Sequence, residues 1–555
     1  MADTNGSKGA NGFKEPVHTD TQSQGPRIDS KSPLGDGSKG PWEKDPGATH
    51  INPQLTTNQG RPVGDNQNSV TAGRRGPITL DDFNHFEKMA QFNRERAPER
   101  VVHAKGSGAH GHFLVTHDLS QYTSAKLFSK IGNTCPMFAR FSTVGGEKGS
   151  ADTARDPRGF ALKFYTEEGN WDMVGNNTPI FFVRDAIKFS DFIHTQKREP
   201  GSNLKSATMM WDFWSLSPES IHQVTILFSD RGIPDGYRHM HGYSSHTFSL
   251  INDKNELHYV KWHWITNQGI KNLTAEQAEV LAGSDPDYSQ RDLLHAIDGK
   301  NFPSWTCKIQ VMPEDQVDNQ AFDPFDLTKV WPHGDFPLID VGVFTLDRKP
   351  SNYHAEVEQA AFNPSNILPG MGYSPDKMLQ GRLLSYPDAH RYRIGTNYDL
   401  LPINAAKCNV ANYNRDGSMR FDGNFGDLPN YEPNSFGGPK ENPKYVDRPY
   451  RVPAEQGFLT VARFDHRENN DDYTQCGNLW RLFDEGQKER TATAIAKSLG
   501  QTPLRIQKLQ LSHFKQCDPD YAARIAKHLG NNEHPEYLHA PDAAELAGAS
   551  RLPEK

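Results

Sequence analysis

Short runs of β-branched and aromatic residues dominate the middle of the chain, from about Val101 to Leu346. Runs of this composition are typical of strands. Their spacing favours an antiparallel sheet or barrel that helices interrupt. The clearest runs are residues 140–144, 180–183, 222–228 and 341–346.

The chain divides by composition into four segments. Residues 1–76 are dense in Gly, Pro, Ser, Asn, Asp and Thr, so we expect a flexible N-terminal arm. Residues 77–346 contain the strand-like runs. Residues 347–466 are mostly without helical or strand period, and a long irregular connection of this kind usually wraps around something or has a function. Apolar residues at helical spacing in residues 467–555 predict a helical unit followed by a tail.

Length and charge narrow the classes of function. With 555 residues the chain can bury a large core and a bulky cofactor. Its formal net charge of -8 argues against the basic surface that nucleic-acid binding needs. The cysteines show no zinc-ligand spacing, which favours buried thiols in a reducing compartment. We find neither a signal-peptide pattern nor an apolar run of bilayer length, so we expect an intracellular protein without membrane segments.

His103 is the first candidate for chemistry. It follows the strand-like residues 100–102, of which Val101 and Val102 are apolar, and precedes a glycine-rich turn, so we expect it where a strand meets a site. Histidine has a pKa close to neutral pH and can therefore take up a proton and return it within one turnover. On position alone, a hydrogen-bonded core histidine among the chain's 23 histidines is the simpler interpretation.

Three polar residues extend this candidate site. If residues 140–144 form a strand, Arg140 and Ser142 share one of its faces. The guanidinium suits a carboxylate or phosphate, and the serine hydroxyl suits an imidazole. Asn176 lies in a turn before the run 180–183, where its amide would be able to hydrogen-bond a bound oxygen species. A solvated strand face and an ordinary turn remain alternatives.

A short helix is predicted over residues 374–386, with Ser374 as N-cap and Pro387 as the stop. Arg382 and Tyr386 lie four residues apart and therefore share a helix face. An arginine beside a phenol favours the phenolate, a hard anionic ligand that suits ferric iron. A tyrosine that only packs against the arginine is the alternative.

Taken together, these segments closely resemble the monofunctional haem catalases. The resemblance runs from about residue 94 to residue 437, with several long motifs in the family's order. The motifs are 94–96 (RER), 101–104 (VVHA), 140–144 (RFSTV), 156–160 (DPRGF), 175–179 (GNNTP) and 382–387 (RLLSYP). The resemblance implies an α+β fold with an antiparallel β-barrel core carrying helical insertions, an N-terminal arm, an irregular wrapping segment that carries the proximal haem helix, and a C-terminal helical domain. It also implies a homotetramer in which N-terminal arms cross between subunits.

The resemblance implies a role for each matching residue. His103 would be the distal acid–base group, with Asn176 as its partner and Ser142 orienting its ring. Tyr386 would be the protein ligand of the iron, supported by Arg382. The other implied haem contacts are Arg100, Val102, Arg140, Phe189 and Arg393, with the three arginines on the propionates, and the implied channel residues are Val144, Asp156, Phe181 and Phe182.

The implied activity is dismutation of hydrogen peroxide to water and oxygen through a ferryl haem b intermediate, which protects the cell from peroxide. The implied location is cytoplasmic, or peroxisomal if the source is eukaryotic. Some family members also bind NADPH, and the residues that match that pocket are His222, Ser229, Arg231, Tyr243, His263, Val330, Trp331 and His333. Ile226, His241 and Ile265 depart from the pattern. Ile265 stands where binders often carry a basic residue for the cofactor's phosphate, so NADPH is a possible but poorly supported cofactor.

Two alternatives are left open. A related haem enzyme acting on organic hydroperoxides would share the iron ligand and the distal histidine and would differ in channel shape. A non-catalytic β-barrel binding protein would also explain the strands. It would have no need for His103, Asn176, Arg382 and Tyr386 together.

Overall fold

Eight strands close into an antiparallel barrel in the computed structural model, which describes residues 54–449 and 460–530. The sheet has ten strands in all, β1 (Gly106–Val115), β2 (Thr134–Ser142), β3 (Gly159–Thr166), β4 (Gly169–Asn176), β5 (Gly242–Tyr243), β6 (Phe248–Ile251), β7 (Leu257–Thr266), β8 (Ser304–Pro313), β9 (Ile339–Arg348) and β10 (Met371–Gly372). Strands β6 and β10 lie outside the closed ring of eight and are attached to it through β7. They follow the order β10-β6-β7-β5-β4-β3-β2-β1-β9-β8, and pairing of β7 with β8 closes the barrel. The expected antiparallel barrel is confirmed.

Eleven α-helices precede, connect or follow the strands in the described part of the chain. They are α1 (Phe83–Phe92), α2 (Phe189–Gln196), α3 (Ala207–Leu216), α4 (Ile221–Phe228), α5 (Ala275–Ser284), α6 (Tyr288–Asp298), α7 (Lys377–Arg393), α8 (Thr474–Leu482), α9 (Glu485–Leu499), α10 (Leu504–Cys517) and α11 (Pro519–His528). None of these helices has the length and apolar character needed to cross a membrane.

Aromatic rings from facing strands form the main core. Phe164 on β3 is in register with Trp171 on β4, and their rings stack with centroids 4.4 Å apart. Phe113 on β1 and Trp264 on β7 contact the same Phe164 ring at 5.4 and 5.7 Å. A barrel of about eight strands is just wide enough for side chains to fill. The functional groups therefore have to lie on its outer face.

Two of the four predicted strand runs are wrong. Residues 222–228 belong to α4, whose side chains are all buried. A short apolar run that is buried on every side has no periodicity to distinguish a strand from a helix. Residues 180–183 form no strand, and the Phe181 amide donates instead to the carbonyl of Leu327 at 3.1 Å.

The predicted helix over residues 374–386 is real, but both of its ends were misplaced. Asp376, rather than Ser374, is the N-cap, because its carboxylate accepts a hydrogen bond from a first-turn amide at 3.0 Å. The helix α7 also continues through Pro387. Contacts beyond the proline stabilise the extra turns, since Arg393 donates to the carbonyl of Glu358 at 2.6 Å.

The C-terminal helical unit, defined as α8 to α11, is confirmed. Trp480 and Tyr521 stack at 3.9 Å in its core, and Phe514 lies 4.6 Å from Tyr521. The chain from the end of α7 to residue 449 contains short 3₁₀ turns without an α-helix or strand, as expected for an irregular segment. Of the predicted N-terminal arm, residues 1–53 lie outside the described residues.

Replacement of Phe164 tests the aromatic core. Phe164→Ala removes a fully buried ring and should lower the free energy of unfolding by about 3–5 kcal/mol, measured by denaturant unfolding. Phe436 is 73% exposed and serves as the control, since Phe436→Ala should change the same quantity by less than about 0.5 kcal/mol. Equal effects of the two substitutions would contradict this description of the core.

Candidate active site

His103 lies just before β1 in a strained backbone conformation. Its φ angle is 63°, in the left-handed region that non-glycine residues rarely occupy. The preceding residues 100–102 form no strand, contrary to the sequence-based expectation. The chain bends there, and the His103 amide donates to the Val144 carbonyl at 3.1 Å. Strain of this kind persists where the surroundings fix a residue, as they often do at functional sites.

Ser142, Gly159 and Asn176 form one row across three neighbouring strands. Ser142 on β2 is paired with Gly159 on β3, which is paired with Asn176 on β4. Directly opposed residues point to the same face of a sheet. The predicted trio His103, Ser142 and Asn176 is therefore brought together, because His103 Nδ1 lies 3.0 Å from Ser142 Oγ.

Gly159 provides the room for this arrangement. A Cβ atom at this position would overlap Ser142 Oγ and would lie 2.7 Å from His103 Nδ1. The site thus requires glycine at the centre of the row. Gly159 belongs to the quoted 156–160 motif, but the sequence alone gave no reason for its presence.

The His103 ring is neutral at physiological pH. Burial lowers its pKa to about 3, and the positive charges of Arg140 and Arg382 act in the same direction. Because Ser142 engages Nδ1, the other ring nitrogen, Nε2, is the one available to exchange a proton.

The two neighbouring asparagines have different roles. The Asn177 side chain accepts from the Arg158 amide at 2.8 Å and donates to the Arg231 carbonyl at 3.3 Å, so it holds the loop together. The Asn176 side chain, in contrast, forms no hydrogen bond with any residue that the structure describes. Its amide is therefore available to a ligand.

Tyr386 and Arg382 share a face of α7, as predicted. Arg382 Nη2 donates to the phenolic oxygen of Tyr386 at 2.9 Å and to the carbonyl of Val174 at 2.8 Å. The guanidinium carbon also lies 4.9 Å from the centre of the phenol ring. The Arg382 guanidinium thus fixes the position of the phenolic oxygen, and its hydrogen bond to Val174 attaches the guanidinium to β4.

A buried histidine–aspartate pair supports this helix and was missed in the sequence. His246 Nδ1 lies 2.7 Å from Asp376 Oδ2, and both side chains are buried. Burial lowers the pKa of His246, Asp376 opposes this shift, and the charge of Arg382 lowers the pKa further. His246 therefore lies within electrostatic range of Arg382. It lies far from α7 in sequence, and no local pattern marks it.

Three arginines place positive charge on one side of the site. Arg100 and Arg393 donate to backbone carbonyls between residues 357 and 360, and Arg140 donates to the Ala104 carbonyl at 3.2 Å. None of the three forms an ion pair within residues 54–449 and 460–530, and the Nε atom of Arg140 is buried there without a partner. Burial, followed by repulsion from Arg140 and Arg393, holds the pKa of Arg100 well below its usual range. Such a group of cations suits a ligand with carboxylates.

Phenylalanines form an apolar wall beside this site. Phe189 stacks on Phe181 with centroids 6.2 Å apart, and Phe182 stacks on Phe192 at 4.5 Å. Val102 packs against the same cluster. The remaining predicted channel residues are also in contact with each other, since Asp156 Oδ2 accepts from the Val144 amide at 2.6 Å.

Several of the residues matched to an NADPH pocket contact one another. Arg231 donates to the Tyr243 hydroxyl at 2.9 Å, and His263 lies 5.3 Å from Tyr243 and 5.8 Å from His333 between ring centres. Of the departures from the pattern, Ile226 is buried in α4 and His241 accepts from a backbone amide at 3.1 Å.

Comparison with known proteins identifies relatives over most of the chain. A sequence model of the family described as "Catalase" matches residues 56–438, and one described as "Catalase-related immune-responsive" matches residues 466–529. The chain is 60% identical over 480 residues to a catalase of the Onchocerca volvulus endobacterium, which covers 86% of this chain and 98% of that protein. It is 56% identical over 486 residues to the peroxisomal catalase of Toxoplasma gondii, covering 86% and 95%. The solved structure of catalase A from Saccharomyces cerevisiae matches with a TM-score of 0.81 at 45% identity, covering 86% and 99%.

Replacement of Asp376 tests the support of α7. Asp376→Ala removes the N-cap and leaves His246 without its partner, so the free energy of unfolding should fall by about 2–4 kcal/mol in denaturant unfolding. Asp388 is exposed on the same helix, and Asp388→Ala should change this quantity by less than about 0.5 kcal/mol. A loss of less than about 0.5 kcal/mol in Asp376→Ala would contradict the assigned role.

Proposed function

The chain belongs to the catalase family and decomposes hydrogen peroxide, and on this basis we propose that Tyr386 ligates the iron of a bound haem while His103 moves the protons. The observation that carries the proposal is the row Ser142, Gly159 and Asn176, with His103 held against Ser142. The comparisons favour this function over both alternatives, an organic-hydroperoxide enzyme and a non-catalytic barrel.

The residues present fit a haem. Arg100, Arg140 and Arg393 would bind its propionate carboxylates, and the buried Arg140 Nε without a partner supports this. Val102 and Phe189 would pack against the apolar ring. Tyrosine ligation is the arrangement described for catalases as a family, so the choice of Tyr386 as the ligand follows from family membership. Haem b is the type we propose.

The proton chemistry follows from the hydrogen bonds of His103. Haem, when bound, supplies the redox chemistry that peroxide decomposition needs. With Nδ1 engaged by Ser142, Nε2 of the neutral ring accepts a proton from one peroxide oxygen and returns it to the other. The free amide of Asn176 donates to the peroxide and orients it, so that both oxygens lie within reach of one base.

The apolar wall gives a reason for selectivity. Phe181 and Phe182 together with Val144 would line a narrow channel, with Asp156 beside the Val144 backbone. A narrow channel lined by apolar rings disfavours charged or bulky compounds and admits small neutral ones such as hydrogen peroxide.

We also propose a homotetramer with an arm that crosses between subunits. Helix α1 has no buried residue, and it exposes the apolar side chains of Phe83, Phe86, Met89 and Phe92. An exposed apolar stripe of this kind is typical of an interface. The division into an arm (1–76), a barrel domain (77–346), a wrapping segment (347–466) and a C-terminal domain (467–555) is likewise proposed.

NADPH and the cellular location stay predictions. Ile265 offers no charge to a phosphate, which argues against NADPH. We predict a cytoplasmic location, or a peroxisomal one if the source is eukaryotic; the relative from Toxoplasma gondii is named peroxisomal.

Replacement of His103 tests the proton carrier. His103→Gln should retain haem and its Soret band but lower kcat for oxygen release by about 10²–10⁴-fold, measured with an oxygen electrode. His117 is exposed, and His117→Gln should behave like the wild type. Wild-type activity in a haem-loaded His103→Gln variant would contradict the assignment of His103 as the proton carrier.

The pH profile gives an independent test. Because the pKa of His103 is lowered to about 3, the neutral base persists well below neutral pH and is lost only as the pH falls toward that value. Oxygen release should therefore be constant from about pH 5 to about pH 8, where an ordinary histidine would titrate. A half-maximal rate near pH 6.5 that tracks His103 would be inconsistent with its environment.

A further inference from the structure

Buried ion pairs connect the wall of the proposed channel to the chain just before the C-terminal helical unit. Arg184 follows Phe181 and Phe182 in sequence, and its guanidinium pairs with Asp326 at 3.0 Å and with Asp472. The three side chains are 4%, 1% and 5% exposed. Asp472 lies in the loop that leads into α8. The ion pair therefore links this loop to the segment that carries both phenylalanines.

A short stretch, residues 326–330, provides a second link and is called the junction segment here. On one side, the carbonyl of Leu327 accepts from the Phe181 amide at 3.1 Å. On the other side, Val330 forms two hydrogen bonds with Gln475 of α8, one from its amide to Oε1 at 2.9 Å and one from Nε2 to its carbonyl at 3.1 Å. The junction segment is thus bonded to the channel wall and to the helical unit at once.

Charges within the junction are balanced. Lys329 Nζ donates to the backbone carbonyl of Asp471 at 2.5 Å and lies 3.8 Å from the Asp326 carboxylate. The side-chain amide of Asn470 donates to the same carboxylate at 2.8 Å. Two cations, Arg184 and Lys329, therefore meet two carboxylates, Asp326 and Asp472. A buried polar network whose charges are paired in this way favours one fixed arrangement.

The aromatic wall contacts the helical unit by a separate route. Phe182 stacks against Trp214 at 5.8 Å, and Trp214 lies 5.0 Å from Trp211. Trp211 Nε1 donates to Ser498 Oγ on α9 at 2.9 Å. Movement of the helical unit would therefore be transmitted to the Phe182 ring through packed side chains as well as through the junction segment.

We propose that the C-terminal helical unit positions the channel wall. Asp472 and Gln475, acting through Arg184 and the junction segment, hold Phe181 and Phe182 at the spacing that admits hydrogen peroxide and excludes larger hydroperoxides. Asp472 and Gln475 are positioning residues, since they act through other groups. This inference rests on the proposed assignment of Phe181 and Phe182 to the channel.

The test uses the haem-loaded, full-length protein. Asp472→Asn removes one charge, keeps the side-chain size and leaves Arg184 its pair with Asp326. The rate of the Soret change is measured by stopped flow after mixing with tert-butyl hydroperoxide and with hydrogen peroxide. The ratio of the first rate to the second should rise by about two- to thirtyfold, the range found when residues that couple two sites are changed. Haem content and the resting Soret band should stay as in the wild type.

Three further variants complete the test, one as a second test of the proposal and two as controls. Gln475→Met removes both hydrogen bonds to Val330 and should shift the ratio in the same direction, which keeps the test usable if Asp472→Asn folds poorly. Asp472→Glu keeps the charge and should stay near the wild-type ratio. Arg490→Gln breaks the ion pair between α9 and Asp230, at 2.7 Å, which joins the same unit to the barrel domain through neither Arg184 nor the junction segment. It should leave the ratio unchanged.

A wild-type ratio in haem-loaded Asp472→Asn and Gln475→Met would overturn the proposal. An equal shift in Arg490→Gln would overturn it as well, because the effect would then come from general loosening of the unit. Failure of the wild type to bind haem or to release oxygen would instead contradict the proposed function, so the two failures are distinguishable.

Discussion

Arg100, Arg140 and Arg393 bring three positive charges to one side of the site without a carboxylate in ion-pair contact among the described residues. Unpaired buried cations are costly, and here backbone carbonyls satisfy only part of their hydrogen-bonding capacity. Binding of a ligand with carboxylates would relieve this cost. The same charge acts on the proposed proton carrier, because Arg140 contributes to lowering the pKa of His103. One group of residues thus favours a haem and adds to the effect of burial, which is the main cause of the lowered pKa of His103.

The barrel strands hold the polar residues of the site in fixed positions. Register between β2, β3 and β4 puts Ser142, Gly159 and Asn176 in one row, and a glycine at the centre leaves space for the His103 ring. The other part of the site is α7, where Arg382 hydrogen-bonds the phenolic oxygen of Tyr386. Asp376 caps the N-terminus of this helix and also pairs with His246. The site therefore depends on strand pairing at one side and on a capped helix at the other. Both are rigid elements, which suits a reaction that requires fixed proton positions.

Local sequence patterns predicted the parts of the site that depend on short-range spacing. The four-residue separation of Arg382 and Tyr386 gave their shared face, and strand alternation gave the shared face of Arg140 and Ser142. The role of Gly159 and the His246–Asp376 pair were not predictable in this way, because each depends on contacts between distant segments. Residues 222–228 were assigned to the wrong element for a related reason, since a helix buried on all sides shows no amphipathic period. Pro387 did not end α7 because tertiary hydrogen bonds hold the turns beyond it.

Haem binding is the central claim, and a titration tests it most directly. Purified protein freed of cofactor is titrated with haem while the Soret band is recorded, oxygen release from hydrogen peroxide is measured on the loaded sample, and the series is repeated with Tyr386→Phe. The account predicts one haem per chain and rapid oxygen release in the wild type, with weakened haem retention in Tyr386→Phe. A Tyr386→Phe variant that retains haem and releases oxygen as the wild type does would contradict it.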